Sequence, residues 1–115
     1  MEKKYLGKIT HVSFGLGGYQ DIQFGLSVTL EGQGIGTNVF IGGAWDYSFM
    51  KDPGENARWT EEDRTKIMIE MLRKISELLK SAKIESIDQL KGKPVEMIID
   101  NDNTLKDWRI LEEVL

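Results

Sequence analysis

The segment TEEDRTKIMIEMLRKISELLKSA, residues 60–82, decides how the rest of the chain is interpreted. Its apolar residues recur at steps of three and four, which predicts an amphipathic helix with one buried stripe. Thr60 is a suitable N-cap, and the acidic residues after it favour the positive end of the helix dipole. The predicted stripe comprises Ile67, Met68, Met71, Leu72, Ile75, Leu78, Leu79 and Ala82, and the predicted solvent face comprises Glu62, Arg64, Lys66, Glu70, Arg73, Lys74, Glu77 and Lys80.

The residues before this helix predict three strands for it to pack against. Residues 4–14 form the first, and regular alternation puts Leu6, Val12 and Phe14 on one face and Tyr5 and Ile9 on the other. Apolar groups on both faces are typical of a strand where a sheet bends. Residues 22–31 alternate strictly, which predicts one buried and one solvated face. A hairpin turn then leads to the third strand, residues 35–41.

The residues after the helix predict two more strands. Ser86 and Gln89 have the spacing of a capping box, so a short helix should start there. Residues 93–100 and 105–111 form the strands, joined by an Asp- and Asn-rich turn. The order β-β-β-α-β-β predicts a single α+β domain, residues 1–115, and it is the order of the five-stranded OB barrel. A plain antiparallel sheet with a helix on one face fits the order equally well.

The composition of the chain excludes several classes of protein and several kinds of site. The chain has 115 residues, a formal net charge of −4 and no cysteine, so it has no disulfide framework, thiol nucleophile or thiolate metal site. We find no signal peptide and no apolar run of the ~20 residues that cross a bilayer, so we expect no membrane partner and a cytoplasmic location. The acidic balance disfavours duplex DNA as a ligand but is compatible with single strands.

The sequence contains only weak matches to the motifs of catalytic sites. The glycine-rich stretches after residues 14 and 31 do not precede a helix, so they are interpreted as hairpin turns and not as phosphate loops. His11 is the single histidine, and residues 100–103 lack the later positions of a calcium loop. Without a nucleophile–base pair or a metal cluster, we expect a protein that is not an enzyme and needs no cofactor.

Aromatic residues outside the helix are the best candidates for a binding site. Residues 44–59 form a long predicted loop that holds two tryptophans, a tyrosine and a phenylalanine, so this loop either folds onto the core or presents a contact surface. Aromatic rings near arginine suit stacking with bases. The predicted ligand-binding residues are Tyr19, Trp45, Tyr47, Arg58 and Arg109.

The sequence also resembles small proteins of tailed bacteriophages and prophages. The segments GKITHVSFGLGGYQDIQFGLSVTLEG (7–32) and LLKSAKIESIDQLKGKPVEMIIDNDNTLKDWRILEEVL (78–115) carry the likeness, with L-x-G-K-P-V before a strand and W-R-I-L near the C-terminus. The passage from helix to L-x-G-K-x-V is similar to that in phage single-strand-binding and recombination accessory proteins, which implies an OB-like fold. Small acidic phage proteins also block host defences.

Two hypotheses follow from these observations. In the first, the protein binds single-stranded nucleic acid or a nucleotide by aromatic stacking. In the second, it is an anti-defence inhibitor that binds a host protein through residues 44–59 or sequesters a nucleotide signal. Either function implies the host cytoplasm if the chain is phage-encoded, and open sheet edges suit homo-oligomerisation.

Overall fold

A computed structural model describes residues 2–17, 23–44 and 61–115, which form one curled antiparallel sheet and one long helix. The strands are β1 (Lys3–Gly17), β2 (Gln23–Gly32), β3 (Ile35–Ala44), β4 (Pro94–Ile99) and β5 (Leu105–Ile110), and the helix α1 is Glu61–Ala82. Their order across the sheet is β3-β2-β1-β4-β5, so β3 and β5 are the edges of a half-barrel. The predicted α+β class and the predicted β-β-β-α-β-β order are confirmed.

A β-bulge at Thr10 explains the mixed pattern of β1. The register with β2 shifts between Ile9, which pairs with Leu30, and His11, which pairs with Thr29. The extra residue inverts the alternation, so Tyr5 and Ile9 before the bulge and Val12 after it all face the core. The prediction that Leu6 shares a face with Val12 and Phe14 is therefore wrong, and Leu6 lies on the opposite face with 55% exposure.

Two pairs of glycines allow the sheet to bend in opposite directions. A Cβ on Gly25 would overlap the carbonyl oxygen of Ile41 and lie 2.8 Å from Gly42 Cα, and Gly25 faces away from the core. In the second pair, a Cβ on Gly7 would face the core 3.0 Å from the Glu31 carbonyl carbon, and a Cβ on Gly32 would overlap Gly7 Cα. Backbones approach this closely only where a sheet is sharply curved. The sheet thus bends towards α1 near Gly7 and towards its outer side near Gly25.

The core lies between the sheet and α1. Met71, Ile75 and Ala82 of the helix are buried, as predicted, against a set of buried strand residues: Ile9, Leu26, Val28, Leu30, Val95, Met97, Ile99 and Ile110. The edges of the predicted stripe are wrong at two positions. Arg64 is 9% exposed, whereas Leu72 is 60% exposed. The stripe follows positions 64, 68, 71 and 75, and Leu72 lies about 100° around the helix from Met71.

A short 3-10 helix, Ile87–Leu90, ties the chain after α1 to β1. Its predicted capping box is confirmed, because Gln89 Oε1 accepts a hydrogen bond from the Ser86 backbone N–H at 3.1 Å. Directly after it, the Gly92 N–H donates to the Ile9 carbonyl at 2.7 Å, and the Ile9 N–H donates to the Lys93 carbonyl at 3.0 Å. These bonds hold β4 in register beside the first half of β1.

Candidate functional site

The outer face of β1, β2 and β3 carries a patch of uncharged residues in three cross-strand rows. We use the term outer face for these nine residues, whose side chains point away from α1. The rows are His11–Thr29–Asn38, Ser13–Ser27–Phe40 and Gly15–Gly25–Gly42. Phe40 is the one large apolar side chain among the nine.

A shallow recess of about 310 Å³ is lined by residues that include Gly15, Gly17, Gly25 and Phe40. The recess arises because the sheet bends towards its outer side at Gly25 and Gly42, where no Cβ fills the concave angle. The Phe40 ring borders the recess and extends towards Gly17, since a Cβ at Gly17 would lie 3.5 Å from Phe40 Cε1. A planar ring can therefore lie on backbone peptide groups with an aromatic wall beside it.

Asn38 and two hydroxyls supply the polar groups of the outer face. Asn38 Oδ1 lies 3.2 Å from Ser27 Oγ and 3.3 Å from Thr29 Oγ1, and it accepts from both. Asn38 Oδ1 accepts from both hydroxyls. The side-chain amide nitrogen of Asn38 therefore points away from them, and so do its two N–H donors. The arrangement can hydrogen-bond a neutral polar ring edge and offers no formal charge to a phosphate.

Arg109, a predicted ligand-binding residue, lies on β5 at the opposite end of the sheet from β3. Its guanidinium donates to Glu96 Oε1 across the β4–β5 ladder at 3.2 Å, and to the two carboxylate oxygens of Glu113 at 3.0 and 3.1 Å. The fold does not bring Arg109 to the outer face. The other predicted residues, Tyr19, Trp45, Tyr47 and Arg58, lie outside the described residues, so their role stays a prediction.

The ion pair of Arg109 shifts the protonation of both partners. Hydrogen bonds to Glu113 and then to Glu96 raise the pKa of Arg109, and the hydrogen bond from Arg109 lowers the pKa of Glu113. A depressed carboxyl pKa stabilises the fold above the unfolded-state pKa, and this contribution disappears as the pH falls through the folded-state pKa. The pair therefore stabilises the C-terminal turn at neutral pH.

We expect the Glu113 carboxyl, followed by carbon-13 NMR during an acid titration, to have a midpoint below that of an ordinary glutamate. Arg109→Gln should raise this midpoint to the ordinary range, because the hydrogen-bonded cation is gone. Arg73→Gln, which removes an arginine paired with Glu70 on α1, is the matched control and should leave the midpoint unchanged. An unchanged midpoint in Arg109→Gln would contradict the assignment.

Sequence reasoning missed Phe40 and Asn38 as site residues, although a signal for both was present. The strict alternation of β2 defines its solvated face, and hairpin pairing puts Phe40 beside Ser27 and Asn38 beside Thr29 on that face. An aromatic residue on a solvated face is unusual for packing alone.

Comparisons with known proteins add no assignment. No protein-family model, curated protein or solved structure matches this chain. Among the residues that the structure describes, no three histidine or acidic side chains come together to hold a metal ion. Within the same ranges, no helix combines the length and apolar character needed to span a membrane.

Proposed function

We propose that this is a non-enzymatic protein that binds single-stranded nucleic acid or a nucleotide in the recess of the outer face. The observation that carries the proposal is the position of Phe40, a large aromatic wall on a glycine floor within an otherwise small and polar face. Strands 2 and 3 are also the ligand-binding strands of OB folds, which supports the proposal by analogy of fold. The resemblance to phage single-strand-binding proteins agrees with it and favours a phage origin and a cytoplasmic location.

The chemistry of the outer face favours contacts with bases over contacts with phosphates. Stacking of a base on an aromatic side chain contributes about 1–3 kcal/mol, and it tolerates any base. The nine outer-face residues include no lysine, arginine or carboxylate. Few counterions would be released on binding, so the affinity should depend only weakly on salt.

The test is a calorimetric titration with an oligo-dT single strand at two salt concentrations. Phe40→Ala should weaken binding between about five- and 150-fold, which corresponds to the loss of one stacked base. Phe40→Trp should retain binding, because it keeps the stacking surface. Both variants should still melt cooperatively, since Phe40 is only partly buried.

Phe14→Ala is the matched control for this test. Phe14 is the same residue type on β1, two strands away from β3, but it pairs with Leu26 on the core side of the sheet and is 46% exposed. Its substitution should leave oligonucleotide affinity unchanged. Equal losses in Phe14→Ala and Phe40→Ala, or wild-type affinity in Phe40→Ala, would rule out the outer face as the site.

The alternative function, an anti-defence inhibitor that binds a host protein, depends on residues 44–59. All but Ala44 lie outside the described residues, so this alternative stays a prediction. Nothing on the outer face favours it over nucleic-acid binding. We therefore propose one function for this face, the binding of single-stranded nucleic acid or a nucleotide.

A further inference from the structure

A second concave feature is the cleft between the two edge strands, which borders the outer face at Phe40 and Gly42. Its volume is about 560 Å³, and one of its sides is formed by Lys74, Glu77, Leu78 and Ser81 of α1. Four consecutive residues of β3 (39–42) and four of β5 (107–110) line the rest. Successive side chains of a strand point to opposite faces, so an unbroken run of lining residues means that the strand presents its main chain.

Both walls of this cleft are edges with backbone hydrogen-bonding groups to offer. Within the described ranges, β3 pairs only with β2, and β5 pairs only with β4. An unpaired edge is a template for another strand unless charges, proline or a bulge protect it. Ile35–Ala44 contains neither a charged residue nor a proline, and its register with β2 is unbroken. In contrast, β5 carries Lys106, Asp107 and Arg109.

We infer that this cleft binds an extended peptide segment of a partner protein, which adds to β3 as a sixth strand and lies between β3 and β5. Strand addition uses main-chain hydrogen bonds for affinity and alternate side chains for specificity. The inference does not depend on the proposed function, because the peptide would bind the main-chain edge of β3, although Phe40 and Gly42 border both sites.

The lining residues define the chemistry of the peptide. Leu78 on α1 and the core-facing residues of β3 favour apolar side chains at alternate peptide positions, directed inward. Glu77, Asp107 and Glu112 put three carboxylates around the cleft. The cleft has two cations, and one of them, Arg109, already contacts Glu96 and Glu113. The intervening peptide positions should therefore carry lysine or arginine.

A second copy of this chain matches the cleft less well than such a peptide. Strand β3 of a second copy has no basic residue to meet the three carboxylates. The chain also carries a net charge of −4, so two copies repel each other. The charge of the cleft thus favours a basic partner segment.

The test is selection of a displayed library of random nine-residue peptides on the wild-type protein. Peptides that also bind Ser81→Tyr are discarded, because a tyrosine at this position would occupy the side of the cleft formed by α1. We expect enrichment of sequences in which apolar and basic residues alternate. In titrations, N-methylation of alternate peptide nitrogens should weaken an enriched peptide at least tenfold, because it removes the donors that face β3.

Two further variants separate occupation of the cleft from loss of fold. Ser76→Tyr makes the same substitution on an exposed position of α1 outside the cleft, and it should bind the enriched peptides like wild type. Glu77→Lys, also on an exposed position, should weaken basic peptides while α1 stays folded. The inference is overturned if no Ser81-dependent peptide is enriched or if N-methylation has no effect. It is also overturned if sedimentation shows a dimer that Ser81→Tyr dissociates, since the occupant is then a second copy.

Discussion

Gly25→Ala is expected to lower the free energy of unfolding by about 3 kcal/mol, at the upper end of the usual cost of overpacking. The new methyl group would overlap the carbonyl oxygen of Ile41 and lie 2.8 Å from Gly42 Cα. Both neighbours are backbone atoms, so no side chain can move aside. The strands would have to separate, and the bend that creates the recess of the outer face would open. Oligonucleotide affinity should therefore fall together with stability.

Gly36→Ala is the matched control on the adjoining strand β3. A Cβ at Gly36 would meet only the Glu31 side chain, at 3.6 Å from Cγ, which is ordinary contact. We expect its unfolding free energy to stay within about 0.5 kcal/mol of wild type. Urea denaturation followed by far-UV circular dichroism measures both variants. Equal stability of Gly25→Ala and Gly36→Ala would show that the sheet is not sharply bent at Gly25.

Ile75→Ala is expected to cost about 2–4 kcal/mol, because it removes buried methyl groups from the middle of the stripe on α1 and leaves a cavity. Ile75 is 7% exposed and belongs to the same core as Leu26 and Met97. Thermal melting should show one cooperative transition at a lower temperature. A residual transition near the wild-type temperature would mean that the sheet is stable without the helix.

Leu72→Ala tests the phase of the stripe on the same helix. Leu72 is 60% exposed, so its truncation should change the unfolding free energy by less than about 0.5 kcal/mol. The two substitutions remove apolar side chains of equal carbon number three residues apart, and helix propensity favours alanine in both cases. If Leu72→Ala destabilises the protein as much as Ile75→Ala, the broader stripe predicted from the sequence is correct.

The parts of the fold that the sequence predicted are those set by local signals. Strict alternation defined β2, the capping box at Ser86 defined the short helix, and the element order followed from turn residues between periodic segments. The alternation and the capping box each act over ten residues or fewer. For that reason, no knowledge of distant contacts was needed to interpret them.

The errors lie where distant contacts decide the local pattern. The bulge at Thr10 depends on β1 pairing with β4 in its first half and with β2 in its second half. Arginine is usually exposed, so the sequence predicts Arg64 on the solvent face of α1. In the structure Arg64 lies on the same side of the helix as Met68 and Met71, and it is buried. Neither contact can be inferred from neighbouring residues in the sequence.

The candidate site was only partly accessible to sequence reasoning. The sequence predicts Arg109 as a ligand-binding cation, but its ion pair with Glu96 is defined by the β4–β5 register, which the sequence does not specify. Phe40 could have been found, because pairing β3 with the alternating strand β2 places it on the solvated face. The recess could not be predicted, since it depends on glycines of β1 and β2 coming to lie beside Phe40 of β3.

Because β1 pairs with two strands, the folding of the sheet divides into a step with a low entropic cost and a step with a higher one. The hairpins β1–β2 and β2–β3 close short loops, so this half of the sheet can form early. Residues 3–7 pair only with β4, which follows α1 in the chain. During synthesis, the start of β1 is made first in the sheet. It therefore stays unpaired until β4, which is made after α1, has been synthesised. Until β4 is complete, the start of β1 is an exposed edge on which a chaperone or a misfolded neighbour can act.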